Sequence, residues 1–271
     1  MIDSIRERFG FTKMPFGRDL PAAMLHQHAD CGEAAARITW TIAGKTVGII
    51  TGEVGTGKTV AVRAAIAALD PAGHTLIYIG NPATGVRGIC HHIVTALGGR
   101  PAHGTAALAA QAWGVLAGEA AERGRVPVLV IDEAHLLDHE QLEALRMMTN
   151  HDMDSSTPFA TVLVGQPTLR HNIKLGVLAA LDQRITVRYQ MKGMTPGETA
   201  SYISHHLQVA GRTADLFTDD AVTQIHQAAR GKPRTVNNLA TAALIATSAA
   251  GKNLVDQAAA RAAIAEVMTT D

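Results

Sequence analysis

The chain is poor in cysteine, in aromatic residues and in net charge, and each shortage excludes something. Its 271 residues include two cysteines, Cys31 and Cys90, too few for a disulfide framework. A reduced, cytoplasmic setting is the simple expectation. Aromatics make up 4% of the residues; Ala fills the helical stretches instead, which favours a helix-rich α/β protein. Basic and acidic residues balance at 24 each, so bulk electrostatics gives no argument for nucleic acid, although a local basic surface inside an oligomer is compatible with it. No apolar run approaches a membrane span. Residues 240–250 are too short and carry Thr and Ser, and residues 1–10 are charged and lack an apolar signal core. No membrane partner is expected. What is present is ordinary globular material, 47% hydrophobic and 18% charged, enough for one large domain with a smaller appendage. The 13 histidines do not read as a metal site. His91 and His92 are adjacent, as are His205 and His206, so neither pair shares a helix face; solvated helix histidines are expected.

Hydrophobic patterning predicts alternating strands and helices. Strands are expected at 46–51, 75–80, 126–131, 159–164 and 185–190, with helices between them. Near-continuous apolar strands separated by helices argue for a parallel sheet covered on both faces. Before the first strand, 11–17 reads as loop. A helix is predicted over 29–43, with Ala36, Ile38 and Trp40 among its apolar positions. After Met191 the strand signal stops. Thr195-Pro196-Gly197-Glu198 predicts a helix start with Thr as N-cap, Pro at N1 and Glu at N3. Further helices are expected from about Thr218, from about 234 to 250, and from about 255 to 268. The expected division is 1–191 and a helical domain over 192–271.

Gly52-Glu53-Val54-Gly55-Thr56-Gly57-Lys58-Thr59 fits the phosphate-binding loop G-x-x-x-x-G-K-[ST] without a mismatch. A predicted strand precedes it. A predicted helix follows from Val60, with Val62, Ile66 and Leu69 at i, i+4, i+7. Glycines let backbone N–H groups turn around an anion, and the helix N-terminus adds partial positive charge. The motif assigns Lys58 to the β- and γ-phosphates of a nucleotide and the Thr59 hydroxyl to Mg²⁺. Val128-Leu129-Val130-Ile131-Asp132-Glu133 is an apolar strand ending in two acids. A parallel strand beside the loop would place Asp132 near the metal, which it would hold through water, and Glu133 beside the γ-phosphate, where it could polarise an attacking water. The alternative is a pair of solvated carboxylates ahead of a helix capped by Asp138.

These segments occur in order with Val164-Gly165-Gln166-Pro167-Thr168-Leu169, Leu181-Asp182-Gln183-Arg184-Ile185 and Gly231-Lys232-Pro233-Arg234. Together they resemble the AAA+ ATPases of the ExeA type and the transposition helper ATPases of the TniB, IstB and MuB group. The resemblance implies a P-loop NTPase fold, a parallel five-stranded sheet between helices followed by a small helical lid. It implies ATP and Mg²⁺ as cofactors. By position, Gln166 resembles sensor 1, which watches the γ-phosphate. Arg184 resembles the arginine finger given to a neighbouring subunit, and Arg234 resembles sensor 2. Pro15, Phe16 and His28 are expected to line the adenine pocket. On the residues alone, Gln166 could instead cap a helix, Arg184 could be a surface ion-pair partner and Arg234 a solvated first-turn arginine.

The resemblance implies an oligomerising ATP hydrolase, as a ring or helical filament. The first expectation is a transposition helper that assembles on double-stranded DNA and recruits or activates a transposase. DNA contacts are then expected from the segment after the second strand and just downstream: Thr84, Arg87, Arg100 and Thr105, all able to bind phosphate oxygens without reading sequence. The alternative there is a plain Gly/Pro connecting loop over 81–88. The second expectation is a secretion-associated ATPase of the ExeA kind. Such proteins carry a membrane span and a peptidoglycan-binding extension that this sequence lacks by Asp271, which places that reading second. A small-molecule kinase, which would need an acceptor pocket, is third.

Overall fold

The structure, a computed structural model, describes residues 2–17, 20–150 and 157–268. In chain order the elements begin with α1 (Ile2–Phe9), α2 (Ala29–Ala43), β1 (Val47–Gly52), α3 (Lys58–Ala67), β2 (His74–Ile79), α4 (Gly85–Ala96), α5 (Thr105–Arg123) and β3 (Val126–Ile131). They continue with α6 (His139–Met148), β4 (Ala160–Gly165), α7 (Pro167–Ile173), α8 (Ala179–Arg184) and β5 (Ile185–Met191). The chain then runs through α9 (Pro196–Val209), α10 (Asp219–Ala229), α11 (Pro233–Ala249) and α12 (Gln257–Met268). It divides into two compact units. One is Glu33–Val54 with Lys58–Met191; the other is Met1–Gly32, Gly55–Gly57 and Lys192–Asp271.

The first unit is built on a five-stranded sheet in the order β2-β3-β4-β1-β5. Every pairing is parallel. β1 and β4 are fully buried, as their Val-, Ile- and Leu-rich sequences, broken only by small residues and Thr, suit strands with neighbours on both edges and helices on both faces. The edge strands depart from the expected pattern. β2 alternates, with Ile77 and Ile79 in the core and Leu76 and Tyr78 about two-fifths exposed. β5 alternates too. An edge strand has one covered face, so its apolar period becomes two.

Several helices differ from expectation in instructive ways. α3 starts inside the loop at Lys58 and ends at Ala67; its core side is Ala61, Val62 and Ala65, and Leu69 lies beyond it. Trp40 is 68% exposed, whereas Ala34, Ile38 and Ile42 are buried. Positions two apart on a helix are about 200° apart, so Trp40 cannot share the face of Ile38. The segment 81–88 is not all loop, because α4 begins at Gly85. Where side chains cap locally, expectation and structure agree. Thr195 and Asp138 each close a two-way capping box, with Glu198 and Gln141, and Thr218 caps α10.

The second unit packs Ile5, Phe9, Phe11 and Phe16 with Tyr202, Leu207, Leu216, Leu239 and Leu244 in one core. Residues 1–32, grouped above with the nucleotide-binding domain, therefore share a core with the C-terminal helices. The aromatic side chains of 9–16 are the reason: they are bulky enough to fill a core of small helical residues. This packing also overturns the expectation that the helix histidines are solvated. His91 and His92 are exposed, but His206 is only 4% exposed. Its ring stacks on Phe16 at 5.3 Å and lies 4.4 Å from Tyr202.

Burial pushes the His206 pKa down to about 4, with His205, His26 and Lys13 adding to the shift. His26 and His28 are also lowered, chiefly by burial, with Glu198 opposing. A folded pKa below the unfolded value of about 6.5 means the unfolded chain binds more protons between them. Stability from His206 is thus complete above about pH 6.5 and is lost as pH falls toward 4, by up to about 3 kcal/mol. Thermal melts at pH 7.5 and pH 5 are expected to show a lower Tm at pH 5 for the wild type. His206→Phe, which keeps an aromatic ring against Phe16, is expected to lose less. An equal Tm drop in both proteins would remove His206 from the account.

Candidate phosphate-binding site

The order β3-β4-β1 decides which loops meet. All strands run the same way, so the segments after Gly52, Ile131 and Gly165 leave from one edge of the sheet. Ligands of open parallel sheets bind at that edge. The register pairs Thr51 with Gly165 and Ile131 with Leu163, so Gln166 leaves the sheet between the phosphate loop and Asp132.

In the loop, Gly55 and Gly57 have φ of 83° and 95°, a left-handed region that β-carbons disfavour. Lys58 is buried, and its Nζ donates to the carbonyls of Gly52 at 2.8 Å and Glu53 at 2.9 Å. The ammonium is thereby folded back over its own loop, at the N-terminus of α3. Thr56 is buried beside it in sequence, while Glu53, Val54 and Thr59 are exposed and Val60 is half-buried in the first turn.

Asp132 is buried and its carboxylate collects three donors. Oδ1 accepts from the Glu133 amide at 2.9 Å. Oδ2 accepts from the Thr59 hydroxyl at 2.9 Å and from the Tyr78 hydroxyl at 3.0 Å. The Tyr78 phenol is pushed up to about 12 by burial and by Asp132, so it stays a protonated donor. Glu133 adopts φ 51°, uncommon for a residue with a side chain, and its side chain is half exposed. His135 Nδ1 lies 3.4 Å from Glu133 Oε2. His135 Nε2 is 2.9 Å from Gln166 Nε2. Gln166 stands at the N-cap of α7 without capping it through its side chain. The capping alternative for Gln166 is excluded by this geometry.

These groups suit a nucleotide phosphate with a hard cation. The Thr59 hydroxyl and the Asp132 carboxylate, in hydrogen-bond contact, are the oxygen donors that Mg²⁺ prefers. The two glycines open the loop for backbone amides, and the lysine supplies the opposite charge. Among the described residues no group of three or more His, Cys, Asp or Glu is placed to hold a metal ion.

Arg184 ends α8, immediately before β5, at the sheet edge opposite Asp132. Its Nη1 donates to the carbonyl and hydroxyl of Thr149, both at 3.3 Å. Arg234 sits in the first turn of α11, and its amide donates to the Gly55 carbonyl at 3.2 Å. Phe16 lines a cavity of about 150 Å³ with Lys13, Pro15, Leu20 and His206. His28 is not part of that cavity; it is buried, and its Nδ1 accepts from the Cys31 amide. Thr84, Arg87, Arg100 and Thr105 are exposed. The Arg87 guanidinium donates to the His103 carbonyl at 2.7 Å, which ties the start of α4 to the connection before α5. Two site residues escaped sequence reasoning in their roles. His135 follows Asp132 and Glu133 closely enough to have been weighed. Tyr78 had no signal, because its partner is 54 positions away.

Comparison with known proteins fits this geometry. Residues 42–173 match the family model described as an AAA domain. The chain is similar to the general secretion pathway protein A of Aeromonas hydrophila, 32% identical over 252 residues, covering 91% of this chain and 45% of that protein. It thus spans about half the length of that relative. Among solved structures it resembles Cdc6p from Pyrobaculum aerophilum, with TM-score 0.69, 15% identity, and 89% and 67% of the two chains covered. It also resembles the ORC2 protein of Aeropyrum pernix, at 0.68, 16%, 93% and 71%. The RuvB Holliday junction branch migration motor of Thermotoga maritima gives 0.58, 18%, 88% and 70%. At these identities the structures show the fold, that of a P-loop NTPase. The secretion-pathway relative supports the ExeA-type reading, placed second above, over the transposition helper placed first. With an AAA domain matched, the small-molecule kinase is set aside.

A β-carbon at Gly55 would lie 2.9 Å from Arg234 Cβ, at a φ of +83°. Gly55→Ala is therefore expected to lower stability by about 1–2 kcal/mol and to weaken triphosphate binding. Chemical denaturation and nucleotide titration check this; wild-type values in both would contradict the loop geometry.

Proposed function

We propose that this chain, as an AAA+ ATPase of the ExeA type, binds ATP with Mg²⁺ at the 52–59 loop and hydrolyses it as a homo-oligomer serving a secretion-associated assembly. The observation that carries the reading is the buried Asp132 carboxylate in contact with the Thr59 hydroxyl, beside a buried Lys58. In this reading Lys58 releases the two loop carbonyls and turns to the β- and γ-phosphates. Backbone amides of 55–59 hold the phosphate oxygens. Thr59 and Asp132 hold the metal, Asp132 through water; Mg²⁺ there would neutralise charge that develops on the γ-phosphoryl group. Glu133 orients the attacking water. Its exposed carboxylate is aimed by the unusual backbone at that residue, and His135 links it to Gln166, which reads the γ-phosphate. Phe16 and His28 are assigned to the base, and Arg234 to sensing through its bond to Gly55.

Arg184 supports an oligomer. It stands at the start of β5, at the end of the sheet opposite Asp132, and in this reading its guanidinium serves a phosphate on another copy of the chain. A guanidinium cannot deprotonate and spreads its donors over a delocalised charge. Of the two client readings, the secretion-associated one has the better support, from the relative just described. The transposition helper, with duplex DNA on Thr84, Arg87, Arg100 and Thr105 and a transposase as partner, has the exposure of those four residues in its favour and ranks second. Among the described residues no helix is long and apolar enough to cross a membrane.

Lys58→Ala is expected to abolish nucleotide binding in a fluorescent-analogue titration. Glu133→Gln is expected to bind with wild-type affinity and to turn over about 10²–10⁴-fold more slowly; normal phosphate release by Glu133→Gln would refute its role. Arg184→Ala is expected to lose about 10³-fold or more in turnover. Mixed into wild-type protein, it should depress activity beyond its share of subunits. A purely proportional loss would argue against action in trans.

A further inference from the structure

The Asp132 carboxylate has one donor that the phosphate-loop motif does not account for. Tyr78 stands on the edge strand β2, in register with Val130 of β3. Its hydroxyl reaches across to Asp132 Oδ2 at 3.0 Å, the oxygen that also accepts from Thr59. The ring is 41% exposed, so burial of the ring does not explain its place. The neighbouring backbone is shaped to let it lie there. A β-carbon on Gly80 would come within 3.1 Å of the Tyr78 ring and 3.6 Å of its hydroxyl oxygen. Gly80 thus leaves the space that the ring needs to lean toward Asp132.

We propose that Tyr78 is a positioning residue for the metal: its hydroxyl fixes Asp132 in the orientation that receives Mg²⁺ with ATP. The inference rests on the nucleotide reading above. With nucleotide and metal present, the Thr59 hydroxyl would offer an oxygen lone pair to the cation and could hold Asp132 only through its single hydrogen. The Glu133 amide holds only Oδ1. Tyr78 is the donor on Oδ2 that has no duty to the cation, and it keeps the carboxylate from rotating about its Cβ–Cγ bond. Losing a partner that orients a metal-holding carboxylate typically costs about 10–100-fold in metal affinity. Tyr78 acts in this proposal through Asp132 alone, so its removal should act on metal dependence and leave metal-free nucleotide binding alone.

The test is a Mg²⁺ titration of fluorescent ATP-analogue binding by wild type, Tyr78→Phe and Gly80→Ala. Tyr78→Phe keeps the ring and removes only the hydroxyl. Gly80→Ala keeps the hydroxyl and displaces the ring. Both are expected to bind the analogue in EDTA as the wild type does, and to need about 10-fold more Mg²⁺ or higher for half-maximal tightening. At saturating Mg²⁺, turnover should return close to the wild-type kcat. In an Asp132→Asn background the Tyr78→Phe effect should vanish, because a purely structural effect would persist there. An unchanged Mg²⁺ dependence in Tyr78→Phe, or a shift that survives in Asp132→Asn, overturns this inference alone. A wild-type protein with no Mg²⁺-dependent binding overturns the nucleotide reading and this inference with it.

Discussion

A single buried carboxylate organises the first unit. Asp132 sits at the end of β3 with hydrogen bonds from Thr59, Tyr78 and the Glu133 amide. An ionised carboxylate away from water is tolerated only when its oxygens are satisfied. Three donors from three segments meet that demand, and in doing so they bring β2, β3 and the phosphate loop to one point. Glu133 inherits its position from the same arrangement. Its amide is committed to Asp132, its backbone takes a left-handed turn, and its own side chain is directed outward toward His135.

The site therefore combines rigidity with a few movable contacts. The strands beneath it are buried and mutually paired, and the glycine-bearing loop is held by Lys58 against its own carbonyls. Carbonyl–ammonium bonds of this kind exchange readily for phosphate–ammonium bonds, which are stronger because both partners are charged. Likewise Gln166 and His135 are hydrogen-bonded to each other through polar tips that a phosphate oxygen could compete for. Catalysis of phosphoryl transfer asks little covalent chemistry of a protein, and a site that is mostly positioned dipoles and charges answers that demand.

The second unit obeys a different economy. Its helices are rich in Ala and close-packed, and its bulk comes from a short aromatic stretch over 9–16. Packing Phe16 against His206 and Tyr202 places a titratable ring inside an apolar core. A histidine there is held neutral by desolvation, which gives this unit a sensitivity to acid. The client of the ATPase is a separate matter. An NTPase core is used for many tasks, and support for secretion comes from a relative about twice as long as the aligned region.

What the sequence determined by itself was everything set by near neighbours along the chain. The phosphate loop, the apolar strand ending in Asp132 and Glu133, the caps at Asp138 and Thr195, and the helix start near Thr218 rest on contacts within about four residues or on a period of two or 3.6. Composition and alternation were enough for the parallel α/β class. The tertiary structure alone decided what depends on distant partners. Tyr78 meets Asp132 across two strands, and Gln166 meets His135 across 31 positions. Residues 1–32 join the C-terminal helices, Trp40 faces outward, and His206 is buried because Phe16 comes to it. Hydrophobic burial and single hydrogen bonds carry no label of sequence separation, so a local pattern shows which residue is able to make such a contact and only the fold shows with whom.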